Sequence, residues 1–396
     1  MIPSIRKEYN QQFSNEKYGR FLKDLNEIYH HTITFRVAET PVFVDRHFKG
    51  KLLKASDEII DFLVRKDLKK LTDAAIPPNV LVPNETDHTL FLALDFAVVM
   101  EGGELEPRLI ELQGFPSLYG WQEVLSQKYR DHFMVPRDLQ SHFGLNSESY
   151  RNKLKSVLLN GHLPENVVLL EIEPMRQNTA IDFLATQSFT GIEPVHLGDV
   201  TREGRKLFYQ KEGKKTEIHR IYNRVIFDEL VTRTDLKLAF NLTEEVDVEW
   251  AGHPNWFFRI SKYLMPFIKS QYIPECKLLS EYKEFPRDLE NYVLKPLFSF
   301  SGSGVVFNVT PKDLNSVPES QYRAFMLQRK VQYQPVIPAP DGQVKLEIRL
   351  LFLWDEGEKR PQVVTNLARL SRGEMVGVKY NKDKTWVGGS VCFFEE

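Results

Sequence analysis

The chain of 396 residues has only two cysteines, Cys276 and Cys392. Two are too few for a disulfide framework and show no metal-ligand spacing, so a disulfide-stapled secreted fold and a zinc module are both excluded, and a reducing compartment is the simple expectation. Charge of one sign is lacking as well. With 52 basic against 54 acidic residues, net −2, no global field would draw the protein onto nucleic acid or an anionic membrane, and neither is expected as a partner. There is no run of about 18 apolar residues, and the start "MIPSIRKEYNQQFSNEKY" has no apolar signal-peptide core. A soluble, cytoplasmic protein is expected, its oligomeric state open. The ten histidines are scattered and form no Ser-His-Asp or Cys-His nucleophile; His219 and His253 read as structural or surface residues. Neither a Walker A motif nor the dinucleotide fingerprint occurs. Internal repeats and low-complexity tracts are absent too.

What is present is apolar material: 42% hydrophobic and 12% aromatic residues, enough for a sizeable core and for two or three domains. Residues 1–80 read as a helical segment, with apolar positions at helical spacing in "KYGRFLKDLNEIYHH" and "ASDEIIDFLVRKDLKKL". Residues 81–160 open with two apolar strands joined by "MEGGELEPR", a hairpin that brings Asp95 and Glu111 onto facing strands. Residues 161–248 carry a βαβ pattern, "ENVVLLEIEP", "RQNTAIDFLATQSF" and "GIEPVHLGDV", followed by a hairpin turning at Glu212-Gly213 and a strand running into a short helix. Residues 249–396 are richer in strands.

Two stretches carry chemistry. "YVLKPLFSFSGSGVVFNV" (292–309) places Lys295 at the end of an apolar strand, then a Ser/Gly loop, then a second strand. Small residues between strands leave backbone N–H groups free and no Cβ in the way of a polyphosphate, although an ordinary turn has the same composition. "LIELQGFPSLYG" (109–120) puts Glu111 and Gln113 two apart, hence on one face of an otherwise apolar strand. Glu347 and Arg349 share a face in the same way, in "EIR".

Taken with "LQRKVQYQPVIP", "VKLEIRLLFLW" and "LARLSRGEMVGVKYNKDKTWVGGSVCFF", the Lys-Pro strand and its loop resemble the ATP-grasp superfamily. The resemblance puts Lys295 and the loop Ser301, Gly302, Ser303 and Gly304 on the phosphates of ATP, and Lys262, in "RISKYLMPFI", in the place of the earlier nucleotide lysine. It puts Gln328, Lys330 and Val331 at the adenine hinge, and Arg369 and Arg372 opposite the transferred phosphoryl group. For Glu347, Arg349, Arg369 and Arg372 an ordinary salt bridge is the competing reading. The chain stops without the closing Asp and Glu-x-Asn of the superfamily. Their counterparts, Asp95 and Glu111-Leu112-Gln113, stand near the front. That order resembles circularly permuted ATP-grasp enzymes of the glutathionylspermidine synthetase and eukaryotic glutathione synthase kind. The implied fold is mixed α/β: a permuted ATP-grasp core with a βαβ substrate-side domain and a helical N-terminal segment.

The resemblance implies two magnesium ions, with Asp95, Glu111, Gln113 and Glu347 as their ligands. Magnesium asks for hard oxygens at near-octahedral angles, which carboxylates on rigid strands supply. Three departures matter: Gln113 replaces the usual Asn, Gln328 and Arg329 replace the usual acidic hinge, and Ala93 stands where related enzymes carry Arg, leaving Arg349 as the candidate cation. The implied activity is an ADP-forming carboxylate–amine ligase working through an acylphosphate on small-molecule substrates. Arg220, Asn223 and Arg224, in "EIHRIYNRVIFDEL", are candidates for the acceptor carboxylate, with structural pairing to Asp228 or Glu229 equally open. A small-molecule kinase and an ATP-binding protein without ligase activity are the alternatives.

Overall fold

The computed structural model describes residues 1–298, 304–374, 376 and 381–396. The loop residues Ser301, Gly302 and Ser303 therefore lie outside the described residues. The architecture is mixed α/β, and the described residues form five sheets.

The central sheet is antiparallel and has six strands: Gly388–Ser390, Gln362–Ser371, Gly342–Leu353, Phe91–Glu101 and Glu104–Gln113 in spatial order, with Pro335–Ala339 pairing the Gly342–Leu353 strand. Its hairpin Phe91–Glu101/Glu104–Gln113 turns at Gly102 and Gly103, both at positive φ (57° and 85°), a conformation that costs glycine least. The expected hairpin is thus present. Its first strand lies directly against Gly342–Leu353, with Arg349 opposite Asp95 and Leu351 opposite Ala93. Residues more than 230 positions apart in sequence are neighbours in one sheet.

The βαβ pattern also appears. Strand Val167–Glu171, helix Ala180–Thr190 and strand Glu193–His196 form the unit, and Arg220–Asn223 and Glu249–Ala251 extend it to a four-stranded, all-parallel sheet. All five residues of Val167–Glu171 are buried, as a parallel strand covered on both faces requires. The Glu212-Gly213 hairpin joins Lys206–Lys211 to Lys214–Ile218.

Two expectations are corrected. The N-terminal segment is not purely helical: its helices Pro3–Gln12, Asn15–Glu27 and Arg46–Leu63 are interrupted by strand Val42–Val44, which pairs in parallel with Cys392–Glu395. The β-rich run "PVFVD" finds its partner at the other end of the chain, and the pairing places residues from both ends in one core reaching from Tyr9 to Phe394. After the Lys-Pro strand Tyr292–Pro296, the second strand is reduced to a single bridge, Leu294 to Val306, with both backbone hydrogen bonds made. The chain then turns into helix Pro311–Ser316, where Thr310 and Asp313 cap one another. A three-stranded antiparallel sheet, Cys276–Leu278, Phe325–Arg329 and Tyr292–Pro296, carries Lys295 and the expected hinge. Among the described residues, no helix is long and apolar enough to cross a membrane.

Candidate functional site

The site forms where three elements meet on one face of the central sheet. Asp95 faces Glu111 across the hairpin and Arg349 on its other side, so three ionisable side chains sit abreast on adjacent strands. Glu347 lies opposite Arg369 on the next strand pair. The hairpin register slips between Asp95 and Phe96: Asp95 opposes Glu111 while Phe96 opposes Leu109, leaving Ile110 as an extra residue. A bulge frees a backbone group from the ladder. The carbonyl of Ile110 accepts a hydrogen bond from Lys295 Nζ at 3.1 Å, and in this way the Lys-Pro strand is tied to the hairpin.

A glycine brings the second lysine in. Gly114 ends the Glu111 strand and donates its N–H to the carbonyl of Ile260 at 2.8 Å. A Cβ there would sit 2.6 Å from the carbonyl oxygen of Trp256 and 2.9 Å from Ile260 Cβ, so only glycine permits the approach. Two residues beyond Ile260, Lys262 reaches Glu111 with Nζ 3.7 Å from Oε2.

Charge is tightly paired. Arg349 grips Asp95 bidentately, Nε to Oδ1 at 2.5 Å and Nη2 to Oδ2 at 2.6 Å. Arg369 bonds both Asp95 Oδ2 and Glu347 Oε1, the latter at 2.5 Å, and the Tyr333 hydroxyl donates to Glu347 Oε2. The amide of Gln113 contacts Glu111 Oε1, and Arg349 Nη2 lies 3.9 Å from the same oxygen. Four cations, Lys262, Lys295, Arg349 and Arg369, thus face three carboxylates.

The electrostatics follow from this count. Burial works to raise the pKa of Glu111, but Lys262, Arg349, Arg369 and Lys295 outweigh it and hold the carboxyl at about 2. Burial lowers Lys295 to about 8; Glu111 opposes that fall and the Lys262 charge adds to it. For Glu347, burial and the Asp95 charge push upward against Arg369. Arg369 itself is pushed further up, because Glu347, Asp95 and Glu111 together overcome its burial.

The other expected site residues are placed as follows. Gly304 is at positive φ (71°) against Pro296. Gln328 is buried in strand Phe325–Arg329, opposite Cys276 and Val293, and its Oε1 has no hydrogen-bond partner among the described residues. Lys330 bonds Asn308 Oδ1 at 2.9 Å and stands over the ring of Phe307, and Val331 is half-buried beside it. Arg372 is not gathered into the cluster but is paired with Asp341.

Of the acceptor trio, Arg220 spends its donors on the carbonyls of Leu158 and Val157 and on Glu249 and Glu356, not on Asp228 or Glu229. Asn223 closes a local turn with Val225. Arg224 is different. It is buried, with Nε and Nη1 lacking partners among the described residues, and its guanidinium lies 5.2 Å from the Phe115 ring and 5.3 Å from that of Phe183.

Sequence reasoning passed over Tyr333, Glu171 and Asp182. Burial raises Glu171 to about 8 against the pull of Arg224, and Asp182 also titrates high through burial, with Arg224 opposing. Glu171 was signalled by "VVLLEIEP", a carboxylate closing a fully apolar strand. A cavity of about 490 Å³ lined by Arg6, Asn10, Phe43 and Pro338 lies apart from this chemistry, against the N-terminal helix.

The donor set does not suit an ion pair held by Asp95, Glu111 and Glu347. Arg349 and Arg369 take both oxygens of Asp95; Arg369 and Tyr333 take both of Glu347. Among the described residues, no group of three or more His, Cys, Asp or Glu side chains is arranged to hold a metal. Glu111 with Gln113 is the pair whose oxygens are not engaged by a guanidinium at hydrogen-bond distance.

No family model matches the sequence, and no curated protein does. In three dimensions the chain is similar to the apo form of a glutathione synthetase-like effector, GSS30, from Globodera pallida, with TM-score 0.56 and 10% identity, over 97% of this chain and 98% of that one. At that identity the likeness speaks for the fold: the chain has a glutathione synthetase-like architecture.

Proposed function

We propose that the protein is an ATP-dependent carboxylate–amine ligase of the circularly permuted ATP-grasp type. The observation that carries the proposal is the convergence of two buried lysines, Lys262 and Lys295, from separate elements onto Glu111 and the Ile110 carbonyl at the hairpin bulge. Such an arrangement supplies fixed positive charge where phosphates dock. The unpartnered Oε1 of Gln328, in the same sheet as Lys295, suits the exocyclic amine of an adenine. Glu111 and Gln113 are the residues that would hold a magnesium ion, which when bound would supply neutralisation of phosphate charge.

Arg224, between Phe183 and Phe115, the latter two residues past the end of the Glu111 strand, would hold the acceptor carboxylate through the N–H groups that have no partner among the described residues. The carboxylate oxygen attacks the γ-phosphorus as the bond to the bridging oxygen breaks and ADP leaves. An amine then attacks the acyl carbon of the acylphosphate, inorganic phosphate departs with the bonding pair, and the nitrogen loses a proton. Lys262, Lys295 and Arg369 position and neutralise; none forms a covalent bond. Nucleotide binding without ligase chemistry is the second reading, and the engagement of Asp95 and Glu347 by arginine favours it. Calorimetry with ATP, followed by ADP release over amino acids, short peptides and polyamines, separates the two. Amine-dependent ADP release supports the ligase, whereas a stable phosphomonoester product would assign a kinase. Absence of ATP binding at millimolar concentration defeats both readings.

A further inference from the structure

We infer that this site neutralises its nucleotide with one divalent ion, and that Arg349 and Arg369 occupy the electrostatic role of a second. The inference rests on the nucleotide reading above. A second ion would have to be held by Asp95 or Glu347, and neither has an oxygen left. Asp95, 1% exposed, is gripped at both oxygens by Arg349 and again at Oδ2 by Arg369. Glu347, 3% exposed, gives Oε1 to Arg369 and Oε2 to Tyr333.

Metal entry at Asp95 would require the buried Arg349 guanidinium to withdraw and remain unpaired in the interior, which is strongly unfavourable, and entry at Glu347 would break the contacts that the partly exposed Arg369 makes to two carboxylates at once. The arginines cannot easily swing aside, because each sits on a strand directly opposite or diagonal to its carboxylate. Arg369 keeps a donor in reserve: its Nε is buried without a partner among the described residues. A guanidinium with an uncommitted N–H beside Glu347 can meet a phosphate oxygen directly, as a planar cation well matched to that geometry. Glu111 and Gln113 are placed otherwise. Lys262 and Arg349 stand 3.7 and 3.9 Å from Glu111, and its Oε1 accepts from the Gln113 amide, so Oε2 is the oxygen left to meet one hard ion.

The test uses the full chain with manganese as a spectroscopic stand-in for magnesium and a non-hydrolysable ATP analogue. Paramagnetic resonance and calorimetry then count manganese ions per bound nucleotide. One ion is expected; two overturn the inference and leave the nucleotide reading intact, while absence of nucleotide binding overturns both. Glu347→Gln, isosteric and able to keep the Tyr333 contact, should leave manganese affinity nearly unchanged, whereas Glu111→Gln should weaken it by at least about tenfold, the scale already seen when a partner outside the ligand shell is lost. A comparable loss in Glu347→Gln, in protein with wild-type circular dichroism, also refutes it. Asp95→Asn gives a parallel reading wherever that variant folds.

Discussion

Glu111→Gln tests the electrostatics of the cluster without reference to any substrate. The carboxyl of Glu111 is held at about 2 against an ordinary 4.5, because four nearby cations overcome its burial. With about 1.4 kcal/mol for each tenfold change in proton affinity, that displacement stabilises the charged, folded protein by about 3 kcal/mol. The sign follows from the direction. A carboxylate whose folded pKa is depressed contributes its full stability above pH 4.5 and loses it as pH falls through 2. Glutamine keeps the shape and removes the charge, leaving four cations facing two carboxylates. The variant should therefore be less stable than wild type by about 3 kcal/mol at pH 7, with the gap closing steadily between pH 4.5 and 2. Urea unfolding followed by tryptophan fluorescence at pH 7, 4.5 and 3 reads this directly. Equal midpoints at pH 7, or a gap that widens on acidification, would refute the reasoning, since either result means the cations around Glu111 do not act on it as placed.

Other perturbations separate binding from structure. Lys295→Ala should weaken ATP binding by about 1.5–3 kcal/mol through loss of a charge-assisted phosphate contact; in the wild type, affinity should fall as pH rises through about 8, where Lys295 loses its proton. Arg349→Met leaves Asp95 buried beside a single remaining guanidinium and should cost about 3–5 kcal/mol in chemical denaturation. Arg372→Ala should cost at most about 1 kcal/mol and leave nucleotide affinity unchanged, because its partner Asp341 is half exposed and neither residue touches the cluster. On an identified substrate, Glu111→Gln should reduce turnover by about 10²-fold, more than it reduces ATP affinity, as expected of a group acting on charge in the transition state.

The parts of this site visible in the sequence are those where a polar residue breaks an apolar pattern of fixed period. Asp95 in "FLALDFAVV" and Glu111 in "LIELQ" stand out because a buried strand has no other use for a carboxylate, and the two-residue period places Gln113 and Arg349 on the faces they occupy. The helix and strands of the βαβ unit were legible for the same reason. Periodicity does not carry partner choice. "PVFVD" is too short to outweigh the helical pattern around it, and its pairing with Cys392–Glu395 is a long-range event no local window contains. Arg220 and Arg224 carry the same side chain and stand at opposite ends of one short strand. What separates them is that Glu249, Glu356 and two backbone carbonyls surround the first, while two phenylalanines flank the second.

The carboxylates expected to hold two metal ions expose the same boundary more sharply. The ATP-grasp resemblance implied that Asp95, Glu111 and Glu347 surround one centre, and the sheet registers do bring their strands together. What each carboxylate can bind then depends on which side chains stand opposite. Cross-strand pairing puts Arg349 on Asp95 and Arg369 on Glu347, residues that were themselves expected at the transferring phosphate. Cations and anions brought together by one sheet satisfy each other before any ligand arrives, and a buried carboxylate with both oxygens so engaged is a poor metal ligand. Glu111 escapes this fate because it lies one strand further out, across from Asp95, and because the lysines that reach it arrive on the ends of other elements at 3.7 Å or bond the Ile110 carbonyl instead. Its strand position, one residue past a bulge, is therefore what distinguishes the carboxylate that keeps an oxygen for a ligand, the other accepting from the Gln113 amide, from the two that are committed to the fold.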